Sequence, residues 1–119
     1  MTAALSRHTD YGQTPLTESE VLADPIAQAR LWLEQAAESN VYEPNAMVLS
    51  TIDPPGLPSS RTVLLRTLDE RGLEFFTSYT SAKGRALLAH PEVSIVFPWY
   101  PIHRQIIVSG TAAPVDPAV

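Results

Sequence analysis

From Ala46 onward the chain alternates short apolar stretches with clusters of turn-forming residues, and this punctuation limits the folds open to it more than any other feature. Ala46 to Ile52 leads into Asp53-Pro54-Pro55-Gly56-Leu57-Pro58, then Ser59 to Leu68, the turn Asp69-Glu70-Arg71-Gly72, and Leu73 to Ser78. Strand signals resume at Val93 to Phe97 and at Arg104 to Ser109. Alternation puts Phe75 and Phe76 on opposite faces of the third segment. Five closely spaced strands with one short helix among them predict a mostly β, antiparallel meander, which curls into a small barrel to protect its edges. Proline supplies 11 of 119 residues, about twice the usual share, and it sits in the turns, stiffening the loop from Asp53 to Pro58.

The part before Ala46 divides in two. Residues 1–22 are polar and without period, as in Ser6-Arg7-His8-Thr9-Asp10-Tyr11, and read as a flexible arm that orders only against something else. Residues 23–119 form the single domain that a chain of this length has room for. Within it, Asp24 caps a helix, Pro25 suits its first position, and Ile26, Ala29, Leu33, Ala36 and Ala37 form its apolar face, with Asn40 as the stop. Ser81 caps a second, short helix, Ala82 to Ala89, which Pro91 prevents from running on. After the last strand signal, Thr111 to Val119 offers no element to cover the final edge, so the fold is expected to be incomplete at its C-terminus.

Charge and composition remove several functions. Eight Lys and Arg against 13 Asp and Glu give a net charge of -5, with no basic block to follow a nucleic acid backbone. Apolar runs such as Val63-Leu64-Leu65 and Ile106-Ile107-Val108 are far shorter than the roughly 20 residues a membrane span needs. The first ten residues lack the pattern of a signal peptide, and the cytoplasm is the expected location. Without cysteine there is no thiol nucleophile, disulfide or thiolate metal site, and His8, His90 and His103 are too far apart for a local metal motif, so no metal is expected.

Three segments carry chemistry. In Thr77-Ser78-Tyr79-Thr80-Ser81-Ala82-Lys83-Gly84-Arg85 a strand runs into a helix start with hydroxyls and a lysine. This is either an anion site, with free amides and Lys83 facing a phosphate, or a capped surface helix with a solvated lysine. The order of residues is not that of a Walker loop. In Arg61-Thr62-Val63-Leu64-Leu65-Arg66 alternation places Arg61, Val63 and Leu65 on one face and Thr62, Leu64 and Arg66 on the other. The two guanidinium groups serve anionic ligands or are rim charges. In Trp99-Tyr100-Pro101-Ile102-His103-Arg104-Gln105, Gln105 either meets the edge of a heteroaromatic ligand or is an exposed edge residue. None of these is a self-sufficient catalytic set.

In this order the segments resemble the N-terminal half of the pyridoxamine 5'-phosphate oxidase family. The resemblance runs from about Asp24 to Gly110 with little or no gapping. It covers Asp24-Pro25 with Trp32, Glu43-Pro44-Asn45-Ala46-Met47, the Arg61 to Arg66 segment, Phe75-Phe76-Thr77-Ser78-Tyr79, Ser81-Ala82-Lys83-Gly84, and Phe97-Pro98-Trp99 followed by Arg104-Gln105.

The resemblance implies an antiparallel split β-barrel that dimerises and holds FMN between its subunits. Arg61, Thr62, Val63, Leu64, Leu65 and Arg66 would lie along the flavin, with Arg61 near its phosphate. Phe76 and Thr77 would contact it from the next strand, Ser81 and Lys83 would meet the phosphate, and Gln105 would face the ring. Arg66 stands where the family has a lysine that also reaches the substrate phosphate, and Ala82 where it has an arginine for the FMN phosphate. Of the arginine and tyrosine that close over the substrate in the family, Tyr11 matches the second, while His8 stands near the first. The implied activity is FMN-dependent oxidation of pyridoxamine or pyridoxine 5'-phosphate to pyridoxal 5'-phosphate by dioxygen. The alternatives are a flavin-binding module without turnover and a split-barrel reductase of another substrate. Because the family's C-terminal half carries most of the substrate ligands, the chain is expected to hold a flavin-binding half-site.

Overall fold

Helix α1, Pro25–Glu38, begins where the Asp24 side chain accepts a hydrogen bond from the Ile26 amide at 3.0 Å and proline occupies the first helical position. In the computed structural model the structure describes residues 16–76, 87 and 89–115. The helix ends in bonds from the Ser39 and Asn40 amides to the Gln35 and Ala37 carbonyls, and Asn40 takes the left-handed backbone, φ 60°, that stops it. Trp32, Leu33 and the fully buried Ala36 face the sheet, whereas Ala37, expected on the same face, is exposed. Of the expected arm, residues 16–22 are described, and they include an exposed 3-10 turn, Glu18–Glu20.

The main sheet has four strands, β1 Ala46–Asp53, β2 Leu57–Leu64, β5 Glu92–Trp99 and β6 Arg104–Thr111, in the order β2-β1-β5-β6 with every pair antiparallel. Between β2 and β5 a separate hairpin, β3 Thr67–Asp69 and β4 Gly72–Glu74, forms its own two-stranded sheet. The described strands therefore number six, not five, and they are not a simple meander, because β1 pairs with β5 across the hairpin. Among the described residues the two sheets do not close into a barrel.

Three boundaries differ from the expected ones for local reasons. The Asp53 to Pro58 loop shrinks to a turn at Pro54, Pro55 and Gly56, with Gly56 at φ 117°, a conformation that glycine supplies without a Cβ penalty. Leu57 and Pro58 join β2 opposite Asp53 and Ile52, which a proline can do because β2 is an edge strand. The strand expected from Ser59 to Leu68 breaks at Leu65 and Arg66, where Asn45 takes over the pairing. Its carbonyl accepts from the Leu65 amide at 2.8 Å, and its side-chain amide donates to the Leu65 carbonyl at 3.2 Å. The strand expected from Leu73 to Ser78 spans Gly72–Glu74; Thr77 and Ser78 lie outside the described residues. So does most of the second helix, of which the described Leu87 and Ala89 are helical.

Alternation along the strands creates one buried face. Met47, Leu49 and Thr51 of β1, Val63 of β2 with Leu65 just beyond it, and Ile95, Phe97 and Trp99 of β5 pack beneath α1. Burying each large apolar side chain contributes about 1.5–3 kcal/mol, and Met47 and Leu49 are the largest that are fully enclosed. Trp99, in the segment that leads to Gln105, is not at a surface site. Instead it is 2% exposed, stacks obliquely on Phe97 at 5.1 Å, and donates its indole N–H to the Pro44 carbonyl at 2.8 Å. It is a core residue that ties the start of β1 to the end of β5. Among the described residues no helix is long and apolar enough to cross a membrane.

Candidate functional site

Strand β2 presents two rows of side chains with opposite fates. Arg61, Val63 and Leu65 point inward, and Thr62, Leu64 and Arg66 are exposed, as the alternation predicts. On the inner row Arg61 is held on several sides. It donates to Thr51 Oγ1 at 2.6 Å, Ser59 Oγ at 2.9 Å and the Leu49 carbonyl at 3.4 Å, and lies 3.8 Å from an Asp53 carboxylate oxygen. Thr51 in turn donates to Asp53 at 3.0 Å. Most of the fork of this guanidinium is thus used inside the fold, and its charge has a counter-ion.

Arg66 sits past the break. Its backbone amide donates to the Glu74 carbonyl at 2.7 Å, which fastens this point to the end of β4. Its guanidinium carbon lies 4.6 Å from the centre of the Phe76 ring, and Phe76 is 67% exposed. Among the described residues the ion pairs are Arg61–Asp53 and Arg71–Asp69, so the charge of Arg66 has no carboxylate partner there. At the β3–β4 turn, the hydrogen bond from the Arg71 side chain, with one from its backbone amide, holds the Asp69 carboxyl below the usual aspartate range.

The exposed face of the sheet extends from Thr62 and Leu64 across Val48 and Val96 to Ile107 and Gln105. Gln105 lies on β6, opposite Pro98, and its exposed side chain makes no hydrogen bond to the described residues. The strand order puts it three strand spacings from β2, about 14 Å, so the sheet of one chain does not bring it to Arg66. On the buried side, an apolar cavity of about 360 Å³ separates α1 from β5 and β6, lined by Ile26, Ala29, Leu33, Phe97 and Ile106 among others. Among the described residues no ionisable side chain lines it.

Of the residues singled out from the sequence, the structure brings Arg66 and Phe76 together and sets Arg61 on the opposite face. His8, Tyr11, Thr77, Ser81, Ala82 and Lys83 lie outside the described residues. The sequence reading missed Thr51 and Asp53 as partners of Arg61. Their signal is parity: Leu49 pairs with Arg61, so Thr51 follows on the same face, where a hydroxyl among apolar residues needs a partner. Among the described residues no group of three His, Asp or Glu is placed to hold a metal.

A flat ring with an anionic tail needs exposed apolar surface, polar atoms at the ring edge and a cation without a counter-ion. Thr62, Leu64 and Arg66 at one end of the exposed face are of those kinds and fit a phosphorylated aromatic cofactor, whereas Gln105 lies too far across the sheet of one chain to join them.

The antiparallel sheet backed by a helix is the open part of a split β-barrel, the fold of the solved structures it resembles. The family described as pyridoxamine 5'-phosphate oxidase matches residues 33–119, and the chain belongs to that family. The pyridoxine/pyridoxamine 5'-phosphate oxidase of Thermobifida fusca (strain YX) is 51% identical over 102 residues, covering 86% of this chain and 46% of that protein. The protein of the same name from Thermosynechococcus vestitus is 43% identical over 118 residues, 99% of this chain and 56% of its relative. The chain spans about half the length of the curated relatives it matches. PhzG from Burkholderia lata 383, solved in complex with tetrahydrophenazine-1-carboxylic acid, has a TM-score of 0.82 at 33% identity, over 89% of this chain and 53% of that one. A pyridoxamine 5'-phosphate oxidase-related, FMN binding protein from Nostoc punctiforme has a TM-score of 0.64 at 26% identity, over 76% and 47% of the two chains.

Proposed function

We propose that this chain forms the flavin-binding part of a cytoplasmic, homodimeric oxidase that converts pyridoxamine or pyridoxine 5'-phosphate to pyridoxal 5'-phosphate. FMN, when bound, would supply the hydride-accepting and dioxygen-reducing chemistry of such an oxidation. The chain's own residues position and polarise. On the outer row of the Arg61 to Arg66 segment, Thr62, Leu64 and Arg66 line the flavin together with Phe76; Thr77, Ser81 and Lys83 complete its phosphate end, and Gln105 meets a ring edge from the far edge of the same face. Its distance from β2 within one chain favours a cleft shared by two copies. Arg66 serves the substrate phosphate, with Tyr11 and His8 closing over the substrate from the arm.

The observation that carries this reading is the Arg66 guanidinium over an exposed ring just past β2, with no carboxylate partner among the described residues. Flavin titration with light scattering tests it. FMN is expected to bind in preference to FAD and riboflavin, to a species of twice 13.0 kDa. Lys83→Ala is expected to weaken FMN binding by about 1–3 kcal/mol. Unchanged affinity in that variant, or FMN held by a stable monomer, would overturn the shared phosphate site. Turnover of pyridoxine 5'-phosphate by this chain alone is expected to be very slow, because one arginine without convergent donors orients a phosphorylated substrate poorly.

A second reading is oxidation of another anionic ring compound. It is favoured by the likeness to PhzG, whose structure holds a ring carboxylic acid, and by the fit of the Arg66 fork to a carboxylate.

A further inference from the structure

We propose that Phe76 is a positioning residue for Arg66: its ring holds the guanidinium at the site mouth, ready for a phosphate-bearing ligand. The inference rests on the function proposed above and assigns to Phe76 a role distinct from contact with the flavin. Three observations carry it. The guanidinium carbon is 4.6 Å from the centre of the Phe76 ring, both side chains are exposed, and neither ion pair among the described residues uses Arg66.

An exposed arginine with no partner samples many rotamers, and a ligand that recruits it must oppose that freedom. Stacking on an aromatic face restricts the side chain while leaving its N–H groups available, because the ring face attracts the cation without consuming its donors. A carboxylate would restrict it equally but would neutralise the charge the ligand needs. The contrast with Arg71 shows this: that side chain is held by Asp69 at 3.0 Å and is already compensated. The backbone bond from Arg66 to Glu74 keeps the two segments together, so the pair is formed before any ligand arrives.

The same logic explains why an arginine works where the family has a lysine. A planar guanidinium stacks on a ring and still offers a fork to phosphate oxygens, whereas a compact ammonium does so less well. Phe76 and Arg66 therefore act as a unit.

The test compares binding of 4-deoxypyridoxine 5'-phosphate and 4-deoxypyridoxine to the FMN-loaded protein; neither can be oxidised at the 4' carbon. The wild type is expected to prefer the phosphorylated probe. Arg66→Ala is expected to reduce that preference at least about tenfold, and Phe76→Leu about two- to fivefold. Phe76→Tyr, which keeps the ring face, should retain it. The double variant should match Arg66→Ala, because Phe76 acts only through the guanidinium. In the ligand-free protein the Arg66 side-chain protons should show an upfield ring-current shift that disappears in Phe76→Leu. An unchanged preference in Phe76→Leu, a further loss on the Arg66→Ala background, or no ring-current shift in the wild type would overturn the proposal while leaving the oxidase reading intact. No preference for phosphate in the wild type would refute the oxidase reading and this proposal with it.

Discussion

Arg61 and Arg66 lie five residues apart on one strand and its extension, yet they occupy opposite electrostatic situations. Arg61 turns inward to Thr51, Ser59, the Leu49 carbonyl and Asp53, so its charge and much of its donor set are committed to the fold. Arg66 follows the break that Asn45 imposes and rests on Phe76 with no carboxylate partner among the described residues. Residue type and spacing along the chain do not separate an arginine committed to the fold from one left open at the surface. What separates them is the company each keeps across the sheet: parity assigns the face, and partners from β1 or β4 assign the role.

The largest effect expected along this strand separates its two rows. Leu65 is 7% exposed and Leu64 49%, although they are neighbours in sequence. Leu65→Ala should cost about 2–5 kcal/mol of stability, the usual range for a core leucine truncated to alanine, while Leu64→Ala should cost less than about 1 kcal/mol. Urea denaturation of the two variants at equal protein concentration measures the difference. Equal costs would mean that the exposed row is covered by a second copy, which would sharpen the dimer proposal at the expense of the simple inner and outer distinction.

Next in size is the comparison of the arginines themselves. Arg61→Met removes the donor to the Thr51 hydroxyl, 2% exposed, and the counter-ion of Asp53, so a loss of about 1–3 kcal/mol is expected. The lower half of that range is favoured because both charged partners keep contact with water, which screens the ion pair. Arg66→Met should change stability by no more than about 0.5 kcal/mol. Thermal or urea unfolding of both variants decides whether the contrast holds. A neutral Arg61→Met with lowered FMN affinity would show that Arg61 exchanges its internal partners for the cofactor phosphate.

Local signals carried much of the fold. The Asp24-Pro25 cap and the three- and four-residue spacing of Ile26, Ala29, Leu33 and Ala36 set α1, and two-residue alternation set the faces of β1, β2 and β5. What was not legible depends on partners distant in sequence. The break after Leu64 comes from Asn45, twenty positions away, and no property of Leu65 or Arg66 announces it. The meander was refuted by the pairing of Leu49 with Ile95, which a period within either segment cannot specify. Nor does the sequence around Trp99 show what its N–H meets; the Pro44 carbonyl that accepts it is reached only once β5 lies beside β1. At the site, parity correctly separated Arg61 from Arg66, but the partners that differentiate them, Thr51 and Asp53 on one side and Phe76 on the other, emerged only in three dimensions.

The smallest effect concerns a third arginine, Arg71, which is exposed like Arg66 but paired. Arg71 bonds to the Asp69 carboxylate from both side chain and backbone, lowering the Asp69 pKa, and that carboxylate in turn raises the pKa of Arg71. A carboxyl whose folded value is depressed stabilises the turn above its unfolded value, near pH 4, and loses that contribution as pH falls through the lower folded value. The β3–β4 turn should therefore keep its amide chemical shifts from neutral pH down to about pH 4 and change only below it. Asp69→Asn should abolish that acid transition and leave Arg71 exposed, cationic and without its aspartate. If phosphate then perturbs Arg71 as strongly as it perturbs Arg66 in the wild type, an unpaired charge alone makes an anion site and the ring of Phe76 is superfluous. If Arg71 stays unresponsive at the same phosphate concentration even when Glu70→Gln and Glu74→Gln are added to remove the other carboxylates that act on it, what distinguishes Arg66 is its placement on the ring as well as its free charge.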